Sequence, residues 1–197
     1  VWKSKDFVNW SFEGSHIQGF DWAKGYDWVN DKGEKKTGYF RYWAPGKVIE
    51  QNGTYYLYVT FVKPDEKMGT YVMIADHPDG PFRFAEGNGL FAPETEGADS
   101  PFIVNDIDGE PFIDDDGNGY LFWRRRLAAR LSADRLHIEG EPLTMQTARQ
   151  GYSEGPLMFK RKGIYYYVYT LSGNQNYVNA YMMSRESPLS GFVKPEG

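Results

Sequence analysis

Gly53-Thr54-Tyr55-Tyr56-Leu57-Tyr58-Val59-Thr60 returns 110 residues later as Gly163-Ile164-Tyr165-Tyr166-Tyr167-Val168-Tyr169-Thr170. The duplication continues at the same offset, with Tyr71-Val72-Met73 through Gly80-Pro81-Phe82 matching Tyr181-Met182-Met183 through Ser190-Gly191-Phe192. Between them lies a partial third copy: Pro111-Phe112-Ile113, the turn Asp114-Asp115-Asp116-Gly117, then Gly119-Tyr120-Leu121-Phe122-Trp123. Units of roughly 55 residues, each a pair of short strands around a turn followed by more strand, mark a propeller-like repeat array. Such repeats bury their faces only against neighbours. The functional site is therefore expected where the blades converge.

Composition agrees with an all-β reading. Fifteen Tyr, thirteen Phe and six Trp stand among 22 Gly in 197 residues, and aromatics pack well on half-buried pleated surfaces. A formal charge of −5 argues against nucleic acid or an anionic membrane surface as partner. With no Cys, disulfides and thiolate metal sites are excluded, but the compartment is not fixed. An extracellular or periplasmic location is favoured, and the oligomeric state is open. No apolar run approaches the length of a membrane span.

Gly, Asn and Asp punctuate the strands at Gln51-Asn52-Gly53, Asp116-Gly117-Asn118-Gly119 and Arg161-Lys162-Gly163. A Pro precedes the turn Gly by eight, eight and seven residues, at Pro45, Pro111 and Pro156. Proline is tolerated where a strand end has no ladder partner to donate to, so the segments before these prolines are predicted to enter the innermost strands. The expected units are residues 1–12 as the end of a first blade, 41–86, 106–141 and 152–194. Three and a fraction units fall short of the four or more that close a propeller, so the chain reads as a fragment. Two linkers remain. Glu13–Arg41 carries Phe20, Trp22, Tyr26, Trp28, Tyr39 and Phe40. It reads either as an extended hairpin packing its own aromatics or as a rim of sugar-stacking platforms. Phe84–Ser100 reads as an acidic, Gly- and Pro-rich surface loop.

The units differ in the polar residues at each inner-strand entrance: Arg41-Tyr42-Trp43-Ala44-Pro45, Asp106-Ile107-Asp108-Gly109-Glu110-Pro111 and Tyr152-Ser153-Glu154-Gly155-Pro156. Two carboxylates converging on an axial pocket suit acid catalysis at a glycosidic bond, one holding a proton and the other tuning it. Asp106 competes with Asp108 for the second role. Asp114, Asp115 and Asp116 are read as turn residues rather than ligands. The run Arg124-Arg125-Arg126 could grip an acidic sugar, but the preferred reading is a solvated edge that blocks strand addition. His16, His77 and His137 have no metal-ligand spacing.

Taken in order, Ser4-Lys5-Asp6-Phe7-Val8-Asn9-Trp10, Trp43-Ala44-Pro45 before Tyr55-Tyr56-Leu57-Tyr58, Ile107-Asp108 before Phe112-Ile113-Asp114-Asp115-Asp116-Gly117, and Glu154-Gly155-Pro156 resemble glycoside hydrolase family 43. That resemblance covers essentially the whole chain. It implies a five-bladed β-propeller that releases arabinose or xylose, less often galactose, from plant polysaccharide with inversion. It makes Glu154 the general acid and Asp108 the residue that raises its pKa and orients it. Trp43 would line the sugar pocket beside Ala44 and Pro45, with Arg41, Phe112 and Trp22 completing the substrate contacts. It implies no required cofactor and admits a structural calcium at the axis of the complete protein. The expected partner is an oligosaccharide or polysaccharide substrate. No residue matches the family's general base, an Asp on the first inner strand, and Asp6 belongs to an outer-strand motif. The isolated chain is accordingly expected to be inactive. A propeller that binds glycans without cleaving them, or that serves as a protein-interaction platform, is the alternative.

Overall fold

The computed structural model describes residues 2–14, 16–17, 21–44, 46–85, 102–172 and 177–195. Pro45, Phe20 and nearly all of the 84–100 loop lie outside this set. β1 (Trp2–Lys3) pairs with β2 (Ser11–Phe12), and β3 (Tyr26–Val29) with β4 (Lys35–Gly38). The first full sheet holds β5 (Arg41–Ala44), β6 (Val48–Gln51), β7 (Thr54–Val62), β8 (Met68–Ala75) and β9 (Arg83–Phe84), with β5 and β6 both paired along β7. The second is a meander of β10 (Glu110–Ile113), β11 (Gly119–Trp123), β12 (Leu127–Leu131) and β13 (Ile138–Thr144), so this unit runs to Thr144 rather than 141. The third contains β14 (Leu157–Arg161), β15 (Ile164–Ser172) and β16 (Tyr177–Ser184), with Val193 bridged to Met183 on its outer side.

Turn chemistry explains two of the three hairpins that the Gly-containing turns of the repeat mark. Asn52 and Gly53 have φ of 53° and 82°, and Lys162 and Gly163 have 50° and 74°. Two successive left-handed residues make the tight turn whose twist matches the flanking strands. The β10–β11 connection differs: Ile113 pairs with Gly119, and the left-handed glycine between them is Gly117 at φ 81°. Gly119 is thus a strand residue, and its small size has another cause. A Cβ there would meet the Arg135 guanidinium at 2.4 Å.

Strand alternation assigns the faces. Leu57, Val59 and Phe61 pack with Phe40, Tyr71, Met73 and Phe84 on one side of the first sheet. Tyr58 and Val72, on the other side, meet Leu121 and Trp123 of the second. Tyr120 and Phe122 then face Tyr165, Tyr167 and Tyr169 of the third. The period of two therefore stacks the sheets as successive blades of a partial β-propeller, each covering its neighbour. Polar clamps reinforce the stack. Tyr58 Oη donates to Arg135 O at 2.7 Å, and Arg135 Nη2 donates to Gly117 O at 2.6 Å. Asp114 does more than turn the chain: it accepts from Lys160 Nζ at 2.7 Å and from Tyr165 Oη at 2.6 Å, both on the next blade.

Candidate active site

The loop entering β10 is shaped by two buried threonines of the preceding blade. Thr60 and Thr70 face each other across β7 and β8. Thr60 Oγ1 accepts from Asp108 N–H at 3.1 Å, while Thr70 Oγ1 accepts from Gly109 N–H at 3.1 Å and donates to Asp106 O at 3.0 Å. Asp108 is held at φ 63°, a left-handed conformation that Asp tolerates better than most residues. Glycine is required next to it, because a Cβ on Gly109 would approach Thr70 Cγ2 to 2.4 Å.

One blade further on, the strand entrance carrying Glu154 is pinned by the chain alone. Ser153 N–H donates to Thr170 O at 2.8 Å, and Thr170 N–H donates to Glu154 O at 3.0 Å. Thr170 is the repeat counterpart of Thr60, so the same position in two blades holds the two acidic entrances. Gly155, at φ 64°, then donates its N–H to Asp108 Oδ2 at 3.1 Å. This bond joins the two entrances across the blade boundary and brings Asp108 beside Glu154.

Burial raises the Asp108 pKa above its ordinary value near 3.8, and the Gly155 N–H opposes that shift. The charges of Glu154 and Asp106 add to the rise, and Arg124 counters it. The sequence reading has Asp108 acting on Glu154; what the structure resolves is the reciprocal influence. Asp106 is spoken for: it is 7% exposed, its Oδ2 lies 3.0 Å from Arg125 Nε, and its Oδ1 accepts from Ile107 N–H at 2.9 Å.

The remaining expected residues are not all gathered here. Trp43 is the extra residue of a β-bulge, since Tyr42 pairs with Phe61 and Ala44 with Thr60. Bulges re-aim side chains beside functional sites, and Trp43 stands 55% exposed one residue from the partner of Thr60. Arg41 forms an ion pair with Glu66 on the β7–β8 turn. Phe112 is not at the site surface. It is 6% exposed and packs edge-on against Tyr165 in the core between blades, because the pleat turns it toward β15. Trp22 packs against the Phe61 ring at a centroid separation of 5.9 Å on the far face of the first full sheet. Within the linker, residues 26–38 form a hairpin, β3–β4, whose Tyr26 packs edge-on against buried Phe40.

Sequence reading missed Thr60 and Thr70, although the Thr60/Thr170 repeat was visible. It also missed the pair of Lys47 and Glu110, 3.3 Å apart, which ties the inner edges of the first two full sheets. Burial raises the Glu110 pKa and Lys47 opposes the shift. The Arg124–Arg126 run is a 3-10 turn between β11 and β12, each of which is paired on both sides, so it guards no sheet edge. Among the described residues no three His, Cys, Asp or Glu side chains converge as a metal-ligand set.

The sequence model of glycosyl hydrolases family 43 matches residues 1–195. A β-D-galactofuranosidase of Aspergillus niger is 30% identical over 147 residues, covering 73% of this chain and 41% of the relative. The arabinoxylan arabinofuranohydrolase of Bacillus subtilis is 28% identical over 192 residues, covering 87% of this chain and 35% of its own length. The chain thus spans less than half of these curated relatives. Among solved structures, a glycoside hydrolase superposes with a TM-score of 0.79 at 41% identity, over 100% of this chain and 40% of that one.

Proposed function

Because this chain belongs to glycosyl hydrolases family 43, we propose that it supplies the acid half of an inverting glycosidase that releases arabinose or xylose from plant cell-wall glycans. The observation carrying this reading is the Gly155 N–H to Asp108 bond, which sets two carboxyl-bearing strand entrances of adjacent blades side by side. Repulsion between neighbouring carboxylates is relieved when one of them carries a proton. In the proposed assignment Glu154 gives that proton to the leaving oxygen as the anomeric C–O bond breaks, and Asp108 orients it. Water forms the new bond from the opposite face and loses its proton to a base, a role no described residue is assigned. Inverting pairs stand roughly 6.5 to 9.5 Å apart to admit that water. Trp43, bulged and exposed, offers the sugar an aromatic face. Both curated relatives are named for five-membered-ring sugars, which favours arabinofuranoside over xyloside.

The test is the stereochemistry of release. In the protein carrying this chain, proton NMR of an arabinofuranoside digest is expected to show the inverted anomer first. Initial release of the retained anomer, or no release from arabinosides and xylosides alike, contradicts the assignment.

A further inference from the structure

Beside the carboxyl pair lies a basin of about 560 Å³, lined by Arg125, Arg126, Thr147, Arg149, Gln150 and Tyr152 among others, with no carboxylate in its wall. Its place is fixed from both blades. Tyr152 precedes Glu154 by two residues, and Arg124 N–H donates to Ile107 O, next to Asp108, at 3.2 Å. The turn is anchored at its other end by Met145 N–H, which donates to Arg126 O at 2.6 Å. Arg125 and Arg126 are both left-handed, with φ of 67° and 64°. Two consecutive non-glycine residues in that region are unfavourable for L-amino acids and persist only where surrounding structure enforces them.

The charge balance of this wall is uneven. Arg124 and Arg125 share one buried carboxylate, Asp106. Arg126 and Arg149 form no ion pair with a carboxylate among the described residues. Guanidinium groups in a concave wall recognise planar carboxylates through paired N–H donors, which a neutral hydroxyl face does not match. The volume lies in the range of small-ligand pockets.

We propose that this basin is a subsite for the carboxylate of a hexuronate branch on the glycan, adjacent to the sugar that the carboxyl pair processes. The inference rests on the glycan-processing reading for its substrate but not on turnover. The Thr147 and Gln150 side chains supply polar groups for the ring hydroxyls, and the arginines hold the acid. A neutral chain leaves the arginines hydrated and binds through the remaining wall.

Calorimetric titration tests this without catalysis. The protein carrying this chain is titrated with a xylo-oligosaccharide bearing one glucuronate and with its undecorated counterpart. The acidic ligand is expected to bind about tenfold more tightly at 20 mM salt, with the preference narrowing at 500 mM as screening grows. In the double variant Arg126→Gln/Arg149→Gln the preference is expected to fall within about twofold, with the thermal midpoint serving as the control for folding. If that variant does not fold, Arg149→Gln alone is expected to reduce the preference at least threefold. Equal binding of the two ligands by the unaltered protein, or a preference that survives loss of the arginines, overturns the subsite. A retained preference in a protein that releases no sugar leaves the subsite standing while the glycosidase assignment fails.

Discussion

Asp108 is where local strain, burial and charge meet. Its left-handed backbone is held by the Thr60 hydroxyl, and its carboxylate is held by the Gly155 N–H. A carboxyl whose folded pKa is raised binds its proton more tightly folded than unfolded. The contribution of Asp108 to stability is therefore greatest at low pH and falls as pH rises from the ordinary value near 3.8 through the folded pKa. Asp108→Asn removes this titration and keeps an oxygen for Gly155. Urea midpoints measured at pH 3.5 and pH 7 are expected to shift in the variant's favour at the higher pH. A gap independent of pH contradicts the raised value. The Asp106 and Asp108 alternatives could not be separated by residue type, because both are Asp at one loop. Contacts with Arg125 and Gly155 from distant positions give the two carboxylates different surroundings.

At the scale of the strand pair, β7 and β8 hold the loop of Asp106, Asp108 and Gly109 through two threonine hydroxyls. Thr60 and Thr70 lie on the face turned toward the second full sheet, where apolar side chains would otherwise be expected. Thr70→Val removes one donor and one acceptor at once and leaves Gly109 N–H and Asp106 O unpaired, at a cost of about 1 to 3 kcal/mol. Thr60→Val frees only the Asp108 N–H. Denaturant melts should therefore show Thr70→Val as the less stable variant. If the threonines position the acidic loop, Thr60→Val should lower kcat on an arabinofuranoside with KM nearly unchanged. Loss in KM alone contradicts that role. The turns Asn52-Gly53 and Lys162-Gly163 were legible from their glycines, which suit the second left-handed position of a I′ turn. The β10–β11 turn was legible at Asp114-Asp115-Asp116-Gly117, but Gly119 is a strand residue rather than a turn residue, and a Cβ there would meet Arg135.

Across the whole chain, the duplicated Tyr-rich segment was enough to read the architecture, since period-two strands at a fixed offset can bury both faces only by stacking. Which aromatics serve the core and which face the site depends on the pleat, and Phe112 shows the difference. The core between the second and third full sheets centres on Phe122, which is fully buried 5.9 Å from the Tyr167 ring. Phe122→Ala is expected to cost about 3 to 5 kcal/mol in a denaturant titration. A loss below 1 kcal/mol would mean that these blades are not packed as described. The central claim is that adjacent blades bring Glu154 to a leaving oxygen as its proton donor. It is tested most directly by the dependence of Glu154→Gln on the leaving group. General acids contribute about 10² to 10⁴ in rate, and that help matters most where the departing alcohol is basic. The variant is expected to lose at least 10³ in kcat/KM on an arabino-oligosaccharide, about 1.4 kcal/mol per tenfold step, yet less than about tenfold on a dinitrophenyl arabinofuranoside. Equal losses on both substrates, or none on either, would contradict it.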